Sequence, residues 1–284
     1  MSEGPHPRAD QLGSLSTREL LQVMHREDRR AVDGVAAHLD QIAAAVEAIA
    51  ERLRSGGRLH YFGAGTSGRL AALDAAECPP TFGIPTDLVH AHDAGDGEPE
   101  DDDRRGADEA RGAGLRAADA VVGVSASGRT AYVLAALAEA RRAGSLVVGI
   151  SCEPGSPLAA AADLAIEIET GPEVIAGSTR LKAGTVQKVV LNMLSTGVFT
   201  KLGHTYRGRM VDVVAANAKL RGRATRIVAD LTGASAARVE GALADAGGSA
   251  KLAILMLRCG LAAGEARSRL SSAGGDLSAA LGET

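Results

Sequence analysis

From Val32 to Leu53 apolar side chains return every three or four positions, at Val32, Val35, Leu39, Ile42, Val46, Ile49 and Leu53. That spacing predicts a helix over roughly 31–54, closed by Ser55-Gly56-Gly57. Ahead of it, "STREL" opens another helix. Ser16 and Glu19 have capping-box spacing, and Leu20, Leu21, Val23 and Met24 supply an apolar side. Residues 1–13 are polar and read as a disordered leader. Beyond Gly57 the pattern changes to short apolar runs alternating with helical stretches. "RLHYF", "TDLVHAH", "DAVVGVS", "SLVVGIS" and "LAIEIE" read as strands. Helices follow the first glycine loop to about Glu77, where Pro79 and Pro80 forbid continuation, then at 103–114, up to Arg142, near 156–162, and through "STRLKAGTVQKVVLNMLSTGVFTKL". Strands alternating with helices imply a parallel sheet covered on both faces. From about 205 the pattern is helical only, broken at "GASA", "AGGS", "GLAAG" and "AGGD". The expected division is a leader with helices at 1–50, an α/β domain at 51–204 and a helical subdomain at 205–284.

Composition narrows the function. The 284 residues carry a net charge of −4 and only 2% aromatic side chains, with no long basic run, which argues against a nucleic-acid partner. No apolar run is long enough to span a membrane. The start "MSEGPHPRADQLG" lacks the apolar core of a signal peptide, so the expected compartment is the cytoplasm. Three scattered cysteines, Cys78, Cys152 and Cys259, fit neither a disulfide framework nor a zinc site.

Two loops carry the chemistry. Gly63-Ala-Gly65-Thr-Ser-Gly68 follows the first strand and spells a dinucleotide fingerprint. A dinucleotide also needs an acid at the end of the second strand, and "HAHDAGDG" with Asp93 fits that role poorly. Ser125-Ala-Ser127-Gly128-Arg-Thr130 sits in the same way between a buried strand and a helix. Hydroxyls gathered at a helix N-terminus suit a single phosphate monoester, whose oxygens need many donors. Thr66, Ser67, Ser125, Ser127 and Thr130 therefore read as a sugar-phosphate clamp. Either loop alone is equally well a plain strand-to-helix turn. Two at successive strand ends favour the clamp.

"GAGTSGRLAALDAAECPPTFG", "VVGVSASGRTAYVLAAL", "GISCEPGSPL" and "GPEVIAGSTRLKAGTVQKVVLNMLSTG" closely resemble the N-acetylmuramic acid 6-phosphate etherases. The likeness extends to "MVDVVAANAKL" and to "LTGASAARVEGAL", which is similar to a ubiquitin-associated-like three-helix unit. The resemblance implies an SIS-type parallel sheet sandwiched by helices, with N-terminal helices and a C-terminal three-helix subdomain. It implies cleavage of the D-lactyl ether of N-acetylmuramic acid 6-phosphate, without metal or redox cofactor. Glu77, in "DAAECPPT", matches that family's catalytic glutamate. The second acid of the pair falls on Glu100, with Glu98 left open as an alternative register in the acidic run "DAGDGEPEDDD". Ser178, as helix cap, and Lys182, facing an anion of the substrate, are expected to line the site, while Arg129 braces its loop. His90, His92 and Asp93 could hold a metal, but no third strong ligand is identifiable. An aldose–ketose isomerase of the same fold and a sugar-phosphate-sensing regulator are the rival functions.

A homodimer with shared sites is also expected. Glu77 follows Gly68 by nine residues, roughly 13 Å along a continuous helix. A phosphate held at Thr66 and Ser67 would leave Glu77 at the far end of its own helix, so Glu77 would serve a neighbouring chain.

Overall fold

The computed structural model describes residues 4–212 and 218–283. The chain divides into two compact units, Met1–Ala76 with Asp87–Gly197, and Glu77–Thr86 with Val198–Thr284.

The first unit opens with α1 (Thr17–Gly34) and α2 (Leu39–Arg54). The capping box forms as its spacing requires. The Ser16 hydroxyl accepts from the Glu19 N–H, and the Glu19 carboxylate accepts from the Ser16 N–H at 2.9 Å. The helix boundary differs from the expected one: α1 runs on to Gly34 and a 3-10 turn, Val35–His38, separates it from α2. The leader is also not featureless. Ala9–Ser14 forms a 3-10 turn, and His6 is buried, its Nδ1 accepting from the Arg8 N–H while Nε2 lies 3.7 Å from Glu27.

Five parallel strands follow: β1 (Leu59–Gly63), β2 (Val89–Asp93), β3 (Ala120–Val124), β4 (Leu146–Ser151) and β5 (Leu164–Glu167). Their order is β2-β1-β3-β4-β5. The chain steps from β1 to one side and then returns to add β3 on the other, so the switch point falls between β1 and β3. Gly63 pairs with both Asp93 and Val124, and Val124 with Ile150, so the segments after four strands leave one edge together.

Alternate residues face opposite sides. Phe62, Val121 and Val147 pack with α4 (Asp103–Gly112), α5 (Ala131–Arg142) and α6 (Pro157–Ala161) through Ala110, Tyr132, Val133, Leu137 and Leu158. Tyr61 faces the other side. Its hydroxyl donates to the buried Asp74 of α3 (Gly65–Phe82), which also accepts from Ser195 of α7 (Lys182–Lys201).

Pro79 and Pro80 do not stop α3, which carries both inside it and ends at Phe82. Proline removes the bond to the carbonyl four residues back but holds a φ that a helix accepts. The turn beyond is kept by the Gly83 N–H bonding to the Pro79 carbonyl, and Gly83, at φ +67°, ends it.

The second unit is helical: α8 (Ala218–Thr232), α9 (Ala236–Asp245), α10 (Ala250–Cys259), α11 (Ala263–Ser272) and α12 (Leu277–Leu281). Val228, Val239, Ala250, Ile254, Leu255, Ala266 and Leu277 form its core. It also holds a small antiparallel hairpin, β6 (Thr205–Tyr206) and β7 (Arg209–Met210), where only helix was expected. Arg207 and Gly208 both take positive φ, as a two-residue hairpin turn requires. The family-like segment Met210–Leu220 crosses Val213–Asn217, which lie outside the described residues.

Candidate active site

The first loop is shaped by what its glycines exclude. A Cβ on Gly63 would press on Gly68, and one on Gly68 would overlap the Asp93 carboxylate. Gly65, at φ +57°, has the carboxylates of Glu100 and Asp96 against it, 2.9 and 3.2 Å from where a Cβ would sit. The Gly65 N–H bonds the Gly95 carbonyl at 2.6 Å. The N–H groups of Thr66 and Ser67, in the first turn of α3, have no intrahelical acceptor by position. The Thr66 methyl lies over Gly184 of α7, and its hydroxyl accepts from Arg69 at 3.3 Å. The buried Ser67 hydroxyl donates to Gln187 Oε1 at 2.9 Å. Sequence reasoning missed Gln187. Its amide nitrogen is buried with no partner among the described residues.

The second loop runs from β3 to α5. Ser125 and Thr130 bond each other through their hydroxyls at 2.8 Å. The Gly128 N–H donates to Ser125 Oγ and the Arg129 N–H to Ser127 Oγ, at 3.0 and 3.2 Å. Thr130 is the residue before α5, yet its side chain caps nothing there, so the first N–H groups of α5 stay open. Arg129 points to solvent. Ala126, Cys152 and Ala183 pack together, joining this loop and the end of β4 to the start of α7. Burial, with Glu173 and Glu153 adding to it, pushes the Cys152 thiol up to about 12, so it is an inert packing group.

The expected cap of α7 is corrected. Ser178 lies in the preceding turn, and α7 starts at Lys182. The first two N–H groups are taken by the fully buried Glu173, whose two oxygens accept from Lys182 and Ala183, each at 3.0 Å. No local pattern betrays a cap nine residues upstream of its helix. The Lys182 ammonium, expected to face an anion of the substrate, is buried in an ion pair with Glu27 at 2.8 Å. Burial raises the Glu27 carboxyl, but the hydrogen bond and charge of Lys182, with His6, outweigh it and hold the group below the usual range.

The segment after β2 brings one acid to the first loop. Glu98–Glu100 forms a 3-10 turn. Glu98 is exposed, whereas Glu100 is half-buried with its carboxylate against Gly65. Burial holds the Glu100 carboxyl above its ordinary value. A backbone bond from Gly97 opposes this, Asp96 and Asp101 add to it, and Arg69 opposes it. Arg105 anchors the segment from behind, donating to the Ala94 carbonyl at 2.9 Å while paired with Glu109. Glu77 belongs to the second unit, where it is exposed in the last turns of α3.

His90 and His92 are joined by His60 in a stack across β1 and β2, with His60 Nδ1 and His92 Nε2 3.3 Å apart. Among the described residues no cluster of three or more His, Cys, Asp or Glu has the arrangement to hold a metal ion.

The SIS domain family model matches residues 106–197. The N-acetylmuramic acid 6-phosphate etherase of Mycolicibacterium smegmatis is 50% identical over 99% of this chain and 97% of that protein. The etherase of Rubrobacter xylanophilus is 50% identical over all of this chain and 96% of its own length. The etherase of Streptomyces avermitilis is 49% identical over 99% of this chain and 93% of that protein. Among solved structures, a phosphoheptose isomerase from Francisella tularensis matches at TM-score 0.54 and 16% identity, covering 66% of this chain and all of that one. An E. coli CFT073 protein in complex with A5P matches at TM-score 0.52 and 20% identity, covering 68% and 97%. Both carry the same fold.

Proposed function

The chain belongs to the N-acetylmuramic acid 6-phosphate etherases, and from that premise we propose how its residues perform the reaction. The reaction cleaves the D-lactyl ether at carbon 3 of the sugar, giving N-acetylglucosamine 6-phosphate and D-lactate. An ether oxygen is a poor leaving group, so displacement by water is slow. Opening the sugar ring exposes an aldehyde at carbon 1, which acidifies the proton on carbon 2. A base takes that proton, the carbon 3–oxygen bond breaks, and an acid protonates the departing lactate oxygen. Water then adds to carbon 3 of the unsaturated aldehyde. The sequence of steps needs two carboxyl groups in different protonation states.

Glu100 and Glu77 are that pair. The observation that carries the reading is the Glu100 carboxylate against Gly65 of the first loop, beside a second hydroxyl-bearing loop on the neighbouring strand. Burial raises its pKa above the ordinary carboxylate value, the direction that suits a group held for proton exchange. Glu98, exposed on the same turn, is the weaker candidate. The open N–H groups of α3 and α5, those of Thr66 and Ser67 among them, hold the phosphate together with Ser125, Ser127 and Thr130. Ser178 borders it, and Lys182 contributes from behind, through its pair with Glu27. The exposed Glu77 serves the site of a second copy, so the working unit is a homodimer with shared sites. A phosphorylated substrate supports a cytoplasmic compartment. Among the described residues no helix is long and apolar enough to cross a membrane.

Labelling tests the chemistry. In heavy-oxygen water the new oxygen is expected on carbon 3 of the sugar, and in deuterated water deuterium is expected at carbon 2. Label in the lactate hydroxyl with none at carbon 3 overturns the mechanism. An isomerase would release no D-lactate at all. Mixing tests the sharing: inactive Glu77→Gln chains refolded together with inactive Glu100→Gln chains are expected to regain activity. If refolded wild-type controls recover and the mixture stays inactive, each site is built within one chain.

A further inference from the structure

In the second unit three donors converge on one carboxylate. Glu283 accepts from Arg258 Nη2 at 2.6 Å, from Arg207 Nη2 at 3.2 and 3.3 Å, and from the Tyr206 hydroxyl. Arg258 also donates to the Tyr206 oxygen at 3.3 Å. These groups come from the hairpin, its turn and α10. Two guanidiniums around one carboxylate leave the cluster one positive charge in excess. Arg207 is the one non-glycine described residue at positive φ, +49°, a backbone strain of about 1 kcal/mol. That conformation carries its guanidinium over the Tyr206 ring, 5.3 Å from the centroid.

Beside the cluster lies an open cavity of about 610 Å³, the size of a small-ligand site. Thr200, Thr205 and Ser278 give it hydroxyls, and Asp276, Arg207 and Glu283 give it charge. Asp276 is already engaged, capping α12 by accepting from the Ala279 N–H at 2.8 Å. A carboxylate makes incomplete use of this donor set: Arg207 reaches it through one nitrogen, at long range. A phosphate, with three acceptor oxygens and more charge, would engage both guanidiniums and the phenol. Glu283 lies just beyond α12, after Gly282 at φ +74°, and its side chain is the group a competing anion would displace.

We propose that Arg207, Arg258 and Tyr206 form a second anion site for a phosphorylated sugar, occupied in the free protein by the chain's own Glu283. The phosphate replaces the Glu283 carboxylate, and the sugar lies among Thr200, Thr205 and Ser278. Glu283 thus acts as an internal competitor that lowers the apparent affinity of the site by the fraction of time it is bound. The residues of this site all belong to the second unit, and the proposal does not depend on the catalytic reading.

Calorimetric titration of glucose 6-phosphate onto the full chain tests it. The loops of the first unit bind equally in all variants, so differences isolate the second site. Glu283→Gln is expected to gain a further equivalent of binding, at least tenfold tighter than any second event in the wild type. The added change Arg258→Gln is expected to abolish it. Glu283→Asp, which keeps the charge and shortens the reach, is expected to give an intermediate gain and serves if Glu283→Gln fails to fold. Titration with inorganic phosphate is expected to give weaker binding at the same equivalent. No added equivalent in either Glu283 variant overturns the proposal, as does one that survives Arg258→Gln. Inorganic phosphate binding as tightly as glucose 6-phosphate overturns the role given to the hydroxyls.

Discussion

The loops after β1 and β3 leave neighbouring strands and each enters a helix, yet they differ in how far their own side chains hold them. The first is fixed by the close approach of its glycines to one another and to carboxylates: Gly63 to Gly68, Gly68 to Asp93 and Gly65 to Glu100. Its one buried hydroxyl, Ser67, is committed outward to Gln187 on α7. The second has one such approach, Gly128 to Ser156, and adds bonds of its own hydroxyls, Ser125 to Thr130 and to the Gly128 N–H, and Ser127 to the Arg129 N–H. A loop with little free side chain presents backbone N–H groups and the acid packed on it. A loop of hydroxyls presents hydroxyls. On the reading proposed above, the same strand–loop–helix unit would supply reacting groups in one case and binding groups in the other.

The comparison breaks most visibly at Gly68. Alanine there must displace the Asp93 carboxylate, which also accepts from the Gly95 N–H at 2.9 Å. Gly68→Ala is expected to lose about 3 kcal/mol of stability, read by urea unfolding. Gly155→Ala is the control: φ is +68° but a Cβ meets nothing within 4 Å, so backbone strain alone costs about 1 kcal/mol. Equal losses would show that the first loop does not depend on packing against Asp93.

Glu100 tests whether the first loop supplies the reacting group. Glu100→Gln is expected to lower kcat by about 100-fold or more, as loss of a general acid or base does, with little change in melting temperature. Glu98→Gln is expected to be near normal. The opposite result would move the catalytic acid to the exposed position.

The strands beneath the first loop carry a third difference. His60 and His92, on β1 and β2, are both held below the usual histidine range, burial being the main cause, and His60 falls to about 3. The unfolded chain takes up these protons near pH 6.5 while the folded one resists. Stability is therefore present above pH 6.5 and lost as pH falls towards His60's folded value. The loss for His60 approaches about 1.4 kcal/mol per pH unit between pH 6 and 4. His60→Phe is expected to flatten that slope in unfolding measured across the range. An unchanged slope would place the acid sensitivity elsewhere.

The sequence exposed some of these features and hid others for a physical reason. β1 to β5, the capping box at Ser16 and both loops depend on residues near each other in the chain, and their period and spacing are visible there. The Glu173 cap of α7, the Lys182–Glu27 pair, the Ser67–Gln187 bond and the docking of His6 join residues that only folding brings together. Pro79 and Pro80 are a different case. The local rule is sound, but it measures a lost hydrogen bond and not whether the neighbouring turns hold the helix without it. Which acid of the run packs against Gly65 is a matter of register that spacing in the chain leaves open, and in the fold it is Glu100, with Asp96, and not Glu98.

The smallest effects separate the two kinds of serine. Ser67 is buried and its hydroxyl satisfies Gln187 Oε1, on an amide whose nitrogen lacks a partner among the described residues. Ser67→Ala would leave both ends of that amide unpaired in the interior, at a cost of about 1–2 kcal/mol. Ser127 is half-exposed, and among the described residues its hydroxyl accepts only from the Arg129 N–H two residues on. Water can replace that bond, so Ser127→Ala is expected to change stability by less than about 0.5 kcal/mol. If its hydroxyl faces the substrate phosphate, one neutral donor is lost on binding, worth about 1 kcal/mol, or a few-fold rise in KM. Urea unfolding and the KM for D-lactate release, measured on both variants, should therefore move in opposite proportion. A stable Ser67→Ala with a raised KM, beside a destabilised Ser127→Ala with a normal one, would reverse the roles assigned to the two loops.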